Sequence, residues 1–474
     1  MTYPFTQNYI NGRWVTPASG RYLDVVNPAT LEHFAQVPDS CTDDIDAAAE
    51  AAAEALESWE NTPSNERIAL MEKFLAFFQA KHDDIIRLEA EELGAPISFG
   101  TVAHCEYQYA RVASYINAAK KLAETETFEK STVRREPVGV VACITPWNYP
   151  LGQVVQKVVP ALLAGNTVVL KPSQHTPLTA VLMVKSFEQA GFPAGTVNLV
   201  QGRGSQLGDA LGTHPKVDMV SFTGSTSVGV RLAQNALRTV KRISLELGGK
   251  SPYVWLKSDD YTAALPKLFS SIFLNSGQTC TALSRLLVPE EDLEKIKMLL
   301  LAHIGELTVG DPKDPATKLG PVASAAQFAK INEYIRLGLS EGAELLTGGE
   351  TTDASNGYYI RPTIFTNVKN SMRIAQEEIF GPVLSIITYK TEEEALAIAN
   401  DTVYGLNAAV FGPKEKALAF ARRIKAGNVY INDAPRDVTA PFGGYKESGI
   451  GREGGIEGIK EFTQLKTIYD HSSF

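Results

Sequence analysis

The chain has 474 residues, of which 44% are hydrophobic and 21% are charged. This length exceeds what one hydrophobic core can hold, so the composition predicts a globular protein of two or three domains and excludes a largely disordered one. The 45 basic and 54 acidic residues give a net charge of -9, which disfavours nucleic-acid binding. The start lacks a basic segment followed by an apolar one, and no apolar run reaches about 18 residues, so neither export nor membrane spanning is expected.

Four cysteines are scattered along the chain, at Cys41, Cys105, Cys143 and Cys280. They form no CxxC pair, so their spacing predicts neither a disulfide framework nor a zinc site. Widely separated cysteines of this kind are typical of a reducing compartment, and we expect a cytoplasmic protein.

Two helices are predicted near the N-terminus. Residues 42–60 place Ile45, Ala48 and Ala52 on one face at helical spacing. Residues 64–93 predict a second long helix, which Gly94 would end.

From residue 138 onward, short β-branched runs alternate with helical stretches, which predicts parallel βαβ units. The predicted strands are residues 138–144, 167–170, 196–200, 219–222 and 242–245. Polar and glycine residues follow them, for example in Thr223-Gly224-Ser225. Because an open parallel sheet binds ligands at the carboxyl ends of its strands, these turns predict a dinucleotide site. The glycine loop is neither a regular GxGxxG nor a Walker A motif, and ordinary turns use the same residues.

A second α/β region follows Gly249, with predicted strands at 253–256 and 285–288 and a helix near 259–274. Two further segments, 124–137 and 461–469, have strand-like composition and stand apart from these units. Projecting strands usually need a partner, so we expect pairing between subunits; the alternative is an edge covered within one chain.

Cys280 and Glu246 are a candidate nucleophile and a candidate base. A free thiol titrates near about 8.5, so its surroundings must activate Cys280 at neutral pH. The polar neighbours Gln278 and Thr279 argue against an apolar core position, although a buried structural thiol remains an alternative. Asn148 could donate its amide to an oxyanion or cap the helix that follows it.

Six motifs resemble those of the aldehyde dehydrogenase superfamily in order and spacing. They are PWNYP (146–150), FTGS (222–225), ELGGK (246–250), GQTC (277–280), EEIFGP (377–382) and PFGGYK (441–446). The resemblance covers nearly the whole chain and implies an α/β protein with a Rossmann-like cofactor domain, an α/β catalytic domain and a small β oligomerisation arm. The implied boundaries are residues 1–118 and 137–247 for the cofactor domain, 248–460 for the catalytic domain, and 119–136 with 461–474 for the arm.

The resemblance also implies the chemistry. It implies that Cys280 is the nucleophile and that Glu246 is the base that activates water. It also implies that the Asn148 amide and the Cys280 N–H form an oxyanion hole. The reaction would be NAD(P)-dependent oxidation of an aldehyde to a carboxylic acid through a thiohemiacetal and a thioester. Relatives that transfer the acyl group to coenzyme A typically lack this glutamate, and that activity is the first alternative. A non-catalytic protein that retained the fold is the second.

For the cofactor, the resemblance implies contacts from Ile144, Trp147, Lys171, Gln174, Gly204, Ser225, Glu378 and Phe380. NAD-preferring relatives often carry a glutamate where this chain has Gln174. A neutral amide neither repels nor attracts the 2′-phosphate of NADP, so we expect NAD with NADP tolerated. On its own, Lys171 could equally be a surface lysine.

The implied substrate tunnel is lined by Tyr149, Gln153, Gln156, Leu274, Thr279 and Arg436. Succinate semialdehyde enzymes tend to carry an arginine where this chain has Gln156, which argues against that substrate. Arg436 could attract an anionic substrate or be an ordinary loop arginine. The expected partners are a small aldehyde and further copies of the chain, as a dimer or tetramer, with no nucleic acid, membrane or metal.

Overall fold

The computed structural model describes residues 3–350 and 353–470. Residues 1–2, 351–352 and 471–474, which fall in the predicted cofactor domain, catalytic domain and arm, lie outside the described residues. Within the described ranges, no helix is long and apolar enough to cross a membrane. Two large sheets, both mainly parallel, form the centre of the molecule and pack against helices.

The strands are β1 (Asn8–Ile10), β2 (Arg13–Val15), β3 (Tyr22–Val26), β4 (His33–Pro38), β5 (Thr125–Phe128), β6 (Ser131–Pro137), β7 (Val140–Ile144), β8 (Thr167–Lys171), β9 (Val197–Leu199), β10 (Met219–Thr223), β11 (Arg242–Glu246), β12 (Pro252–Trp255), β13 (Arg285–Pro289), β14 (Glu344–Thr347), β15 (Thr363–Thr366), β16 (Val383–Tyr389), β17 (Tyr404–Gly405), β18 (Asn407–Phe411), β19 (Asn428–Ile431), β20 (Tyr445–Lys446), β21 (Gly449–Ile450) and β22 (Thr463–Ile468).

The α-helices are α1 (Thr42–Glu60), α2 (Ser64–Gln79), α3 (His82–Glu92), α4 (Ile97–Phe99), α5 (Tyr107–Ala119), α6 (Pro150–Leu163), α7 (Leu178–Ala190), α8 (Gly204–Thr213), α9 (Thr226–Ala236), α10 (Leu265–Ile272), α11 (Leu293–Ile304), α12 (Ala325–Ser340), α13 (Arg373–Gln376), α14 (Glu392–Asn400), α15 (Lys414–Ala421) and α16 (Gly455–Lys460). A π-helical segment, Gly100–Glu106, joins α4 to α5.

The first sheet contains the five strands predicted between residues 138 and 245. Its order is β2-β1-β9-β8-β7-β10-β11-β21, and the five strands from β9 to β11 are parallel. Strands β7, β8 and β10 are buried along their whole length, which explains their near-continuous apolar sequences. At the far edge, β21 pairs antiparallel with β11, so that Gly449 lies opposite Glu246. This pairing brings a late segment of the chain to the end of the first sheet.

The second sheet has the order β14-β15-β16-β13-β12-β18-β19 and is parallel except for β14. It contains both strands predicted after Gly249. The predicted helix near 259–274 is wrong at both ends, because α10 covers only Leu265–Ile272, preceded by a 3₁₀ turn at Thr262–Ala264. Beyond α10 the backbone enters left-handed conformations that cannot continue a helix.

The predicted long helix over 64–93 is also wrong as a single element, because α2 and α3 are separate. The chain leaves helical geometry at Lys81, whose φ and ψ are -101° and 13°. Asp83 and Asp84 then lie in the first turn of α3, where carboxylates favour a new helix N-terminus. Apolar residues keep their helical spacing across this break, so the sequence gives no sign of two separate helices.

The two segments predicted to stand apart form one three-stranded sheet in the order β22-β6-β5. The first segment is a hairpin of β5 and β6 rather than one strand, and β22 pairs with β6 over six residues. The central strand is therefore covered on both sides within the chain, while β5 and β22 form the outer edges. Phe128, Leu465 and Tyr469 on or beside these edges are 55%, 62% and 80% exposed.

Candidate active site

Cys280 lies in a tightly turned loop after α10. Asn275, Ser276 and Gly277 have φ values of 54°, 53° and 71°, a left-handed region that costs energy for residues other than glycine. Gln278 holds the turn, because its Nε2 donates to the Asn275 carbonyl at 3.0 Å and its Oε1 accepts a backbone N–H at 2.8 Å. The loop thereby fixes a half-buried thiol where two cavities meet.

Two glycines allow the backbone to pack closely around this loop. A Cβ atom at Gly249 would lie 2.5 Å from the Cys280 carbonyl oxygen, and one at Gly277 would lie 2.2 Å from the Gly381 backbone. No side chain fits at either position. The glycines of the ELGGK and GQTC motifs thus allow one backbone segment to pack directly against another.

Asn148 lies between β7 and α6, beside the Cys280 loop. Its Nδ2 donates to the Gln278 carbonyl at 2.9 Å, and the Asn275 Nδ2 donates to the Asn148 carbonyl at 2.9 Å. The amide nitrogen carries a second hydrogen. Among the described residues, the Cys280 N–H has no hydrogen-bond acceptor. Asn148 and Cys280 line the same cleft, so both donors are available beside the thiol.

Glu246 is the last residue of β11, and it is 4% exposed. Within the described part of the chain, neither of its carboxylate oxygens has a hydrogen-bond partner. A Cβ atom at Gly443 would lie 2.9 Å from its Oε1, so this glycine leaves space for the carboxylate. Burial, together with the charge of Glu453, raises the pKa of Glu246 well above its usual value. An unpaired carboxyl with a raised pKa has the properties of a general base.

Lys157 and Glu453 form a buried ion pair close to Glu246. The Lys157 Nζ lies 2.8 Å from Glu453 Oε1 and also donates to Ser221 Oγ at 3.2 Å. Sequence reasoning missed this pair, although a lysine on a helix whose residues are mostly apolar was an available signal. Lys157 is thus paired with Glu453, and Glu246 forms no ion pair within the described residues.

The protein surroundings do not activate the Cys280 thiol in the way the sequence suggested. Burial raises its pKa to about 12, and the charges of Glu378, Glu246 and Glu453 act in the same direction. Arg436 opposes them. These groups keep the thiol protonated near neutral pH, because a buried thiolate among carboxylates is unfavourable.

The first cavity is a cleft of about 640 Å³ at the carboxyl ends of β7, β10 and β11. This is the position that the parallel sheet predicts for a ligand. The cleft is lined by Pro146, Trp147, Asn148, Gln153, Thr223, Gly224, Ser225, Leu247, Gly248, Cys280, Gln327, Lys330, Glu378 and Phe380. Four of the predicted cofactor residues are therefore brought together with Cys280: Trp147, Ser225, Glu378 and Phe380.

Glu378 and two aromatic rings form one wall of this cleft. Glu378 Oε1 accepts the Gly249 N–H at 3.0 Å, which fixes the carboxylate. The rings of Trp147 and Phe380 meet edge to face with their centroids 5.3 Å apart. Sequence reasoning missed Gln327 and Lys330, which reach the cleft from α12 and lie outside the six motifs.

The other predicted cofactor residues lie outside the lining of the cleft. Gln174 Oε1 accepts the Gly204 N–H at 3.1 Å, and a Cβ atom at Gly204 would lie 3.6 Å from Lys171 Nζ. These three residues therefore form a group of their own near the end of β8. Burial lowers the pKa of Lys171 to about 8, so it is not a surface lysine. Ile144 is packed in the apolar core at the end of β7.

The second cavity, of about 770 Å³, reaches Cys280 from another side. Five of the six residues predicted for the substrate tunnel line it: Tyr149, Gln153, Gln156, Thr279 and Arg436. Leu274 does not line it. The cavity shares only Gln153 and Cys280 with the cleft.

The wall of the second cavity next to Cys280 is fixed by Tyr149. Its hydroxyl lies 3.0 Å from Thr279 Oγ1, and its ring stacks on the buried His104 with centroids 5.2 Å apart. Sequence reasoning missed Gln108 and Arg111, which also line this cavity. The available signal was their spacing of three residues on the buried face of α5.

The family model of the aldehyde dehydrogenase family matches residues 14–468. The chain belongs to the aldehyde dehydrogenase family. A protein of Staphylococcus epidermidis is 42% identical over 471 residues, which is 98% of each chain.

Solved structures of aldehyde dehydrogenases superpose closely. Aldehyde dehydrogenase C of Pseudomonas syringae, solved with NAD+ and octanal, is 41% identical, with a TM-score of 0.96 over 98% of this chain and 97% of that one. An aldehyde dehydrogenase of Mycobacterium tuberculosis complexed with NAD+ is 40% identical, with a TM-score of 0.97 over 99% of each chain. In this aldehyde dehydrogenase, Cys280 lies where the two cavities meet, Asn148 lines the cleft beside it, and the Glu246 charge acts on its thiol.

Proposed function

We propose that this aldehyde dehydrogenase oxidises an aldehyde to a carboxylic acid with NAD, using Cys280 as the nucleophile. The observation that carries the proposal is that Cys280 is shared by the two cavities. A thiol at this junction can attack a carbonyl carbon held in one cavity while a hydride acceptor lies in the other. Bound NAD supplies that acceptor.

In the first half of the reaction, the Cys280 thiol loses its proton to solvent water, and the sulfur then bonds to the aldehyde carbon as the C=O π bond breaks, which gives the anion of a thiohemiacetal. The Asn148 amide and the Cys280 N–H would donate to its oxyanion, which their place beside the thiol supports. Loss of the hydride with its electron pair converts the thiohemiacetal into a thioester. Glu378, fixed by the Gly249 N–H, would orient the acceptor in the cleft.

In the second half, water must attack the thioester and release the acid and the thiol. Glu246 is the candidate base for this water. It does not line either cavity, so its side chain must turn toward Cys280 to act. The lack of a hydrogen-bond partner among the described residues favours such a rotation, because no bond has to be broken.

The cleft residues fit NAD. Gly224 and Ser225 precede α9, and the N-terminus of a helix favours a phosphate group. Lys171 and Gln174 would contact the adenosine ribose, with Gln174 neutral and already bonded to Gly204. NADP should be tolerated but not preferred, because no cation stands in place of Gln174 to bind its extra phosphate.

The domain division and the assembly belong to the same proposal. Residues 1–118 with 137–247 would bind the cofactor, residues 248–460 would carry Cys280, and residues 119–136 with 461–474 would form the arm. The exposed edges of β5 and β22, with Leu465 and Phe128 beside them, support pairing of the arm with another copy of the chain. Mass measurement in solution, with Leu465→Lys as the edge variant, tests this assembly.

The test of the activity is a panel of aldehydes with NADH absorbance as the readout. The wild type should form NADH and a free acid without coenzyme A, and Cys280→Ala should lose turnover by at least about 10⁴-fold. A requirement for coenzyme A with formation of an acyl-CoA would support the acylating alternative instead. NAD binding without oxidation of any aldehyde would support the non-catalytic one.

A further inference from the structure

Arg111 lies in the wall of the substrate cavity, where its hydrogen-bond partner is a neutral amide. It belongs to α5, is 8% exposed, and donates from Nη1 to Gln108 Oε1 at 3.0 Å. Its guanidinium carbon lies 4.7 Å from the centroid of the Tyr107 ring. Among the described residues, Arg111 forms no ion pair with an aspartate or glutamate. A buried guanidinium with one neutral acceptor is energetically unfavourable unless a further group completes its hydrogen bonds.

Arg436 brings a second guanidinium to the same cavity. It lies in the loop after β19, half-buried, with its guanidinium carbon 4.1 Å from the centroid of the Phe442 ring. In the part of the chain that the structure describes, it also forms no ion pair. Stacking on an aromatic ring fixes the plane of a guanidinium and leaves its N–H edge free for a planar carboxylate.

The two arginines are close enough to act on each other. Burial lowers the pKa of Arg111 to about 10, and the charge of Arg436 adds to this effect, while Tyr107, Tyr115 and Glu453 oppose it. Arg111 therefore remains protonated at neutral pH. Two unpaired cations that face one cavity attract an anion more strongly than either does alone.

Three carboxylates outside the substrate cavity act on the Cys280 thiol. Glu378 lines the cleft, Glu246 and Glu453 line neither cavity, and Arg436 opposes their effect on the thiol. An anionic group close to Cys280 would be repelled by these carboxylates, whereas the same group beside Arg111 would be attracted. A substrate with one carboxylate would consequently enter with its uncharged aldehyde end toward the thiol.

Part of the cavity wall suits a carbon chain. Val102, Ala103, Tyr149 and Phe442 contribute apolar surface to the cavity. Gln156, which lies on α6, also lines the cavity but is uncharged. The positive charge of the cavity therefore comes from Arg111 on α5 and Arg436 in the loop after β19. The cavity thus combines apolar sides with a cationic region and a reactive thiol.

We propose that the substrate is an aldehyde that carries a carboxylate at its far end, an ω-oxo acid, and that Arg111 and Arg436 together bind this carboxylate. The proposal rests on the proposed function, because it names the substrate class of the same site. Oxidation takes place at the aldehyde carbon as described above, and the distal carboxylate is unchanged. The product is a dicarboxylate.

The test compares straight-chain ω-oxo acids with n-alkanals of equal carbon number, using NADH formation to obtain kcat/KM. In the wild type, the best ω-oxo acid should exceed its matched alkanal by about tenfold or more. Arg111→Met and Arg436→Met should each lower this ratio by about tenfold, with the larger loss on the ω-oxo acid. Arg111→Lys should restore part of the ratio, because it retains the charge.

Arg336→Met is the matched control. Arg336 is exposed on α12 and lines neither cavity, and its replacement by methionine removes one positive charge, as Arg111→Met and Arg436→Met do. It should leave the ratio unchanged. If the wild type has a kcat/KM for the ω-oxo acid no higher than that for the matched alkanal, the proposal is overturned, even if Arg111→Met fails to fold. The proposal is also overturned if neither arginine variant alters the ratio of these two values. If neither class of aldehyde is oxidised, the proposed function itself fails; if alkanals are oxidised as well as ω-oxo acids, only the substrate class fails.

Discussion

The cleft and the substrate cavity meet at Cys280 but are built in different ways. Backbone turns at the ends of β7, β10 and β11 shape much of the cleft, and glycines at these turns admit a ligand. The substrate cavity is shaped mainly by side chains from α5, α6 and the loop after β19. We therefore expect sheet topology to fix where the cofactor lies, and single substitutions to change which aldehyde is accepted. The comparison separates what the fold determines from what individual side chains determine.

Glu246→Gln should give the largest effect that distinguishes the two halves of the reaction. Steady-state turnover should fall by about 10²–10⁴-fold, because water loses its base. A burst of NADH should persist, because thioester formation needs the cleft and Cys280 but not Glu246. Stopped-flow absorbance measures both phases. Glu457→Gln, an exposed glutamate on α16, is the control, and loss of the burst together with turnover would refute this division of roles.

The pH dependence of thioester hydrolysis is a second test of Glu246 as the base. Because its folded pKa is raised, the carboxyl is protonated below that pKa and cannot accept a proton from water. Hydrolysis by the wild type should therefore decline as the pH falls through this raised value. In Glu246→Gln, the remaining hydrolysis should not show this step.

Alkylation of Cys280 should depend steeply on pH in the protein alone. With a thiol pKa of about 12, the thiolate fraction rises about tenfold for each pH unit below that value. The rate of modification by iodoacetamide, followed by mass spectrometry, should increase by about this factor per unit between about pH 7 and pH 10. A plateau reached below about pH 9 would contradict the assigned electrostatics.

Asn148→Ala should lower kcat by about 10²–10³-fold, with a smaller change in KM, because an oxyanion donor acts mainly on the transition state. The rate of Cys280 alkylation serves as the control for an intact loop, since the Asn148 side chain also bonds to the Gln278 carbonyl. A change confined to KM would identify Asn148 as a binding group only.

Gln174→Glu should give the smallest effect, on the cofactor side of the comparison. A carboxylate keeps an acceptor for the Gly204 N–H but repels a 2′-phosphate, so the efficiency with NADP relative to NAD should fall by about tenfold. Gln174→Ala distinguishes repulsion from the loss of a contact. If Gln174→Glu leaves the ratio of catalytic efficiency with NADP to that with NAD unchanged, the adenosine ribose does not lie beside residue 174.

The accuracy of the sequence predictions follows the same division. Alternation of buried strands and helices located the five parallel strands of the first sheet and the turns around the cleft, because the burial pattern is regular there. The break at Lys81 was not predicted, because one polar turn does not interrupt the apolar period. Arg111 was missed because it lies outside the six motifs and its significance depends on a cavity assembled from distant segments. Likewise, the unfavourable environment of the Cys280 thiol depends on three carboxylates that come together only in the folded chain.

The two cavities share only Gln153 and Cys280, and this has a consequence for inhibition. A dicarboxylate without an aldehyde could occupy the arginine-lined cavity while the cleft still exchanges its ligand. Such a compound should compete with the aldehyde but not with NAD. Such competition would also make the dicarboxylate product an inhibitor with respect to the aldehyde.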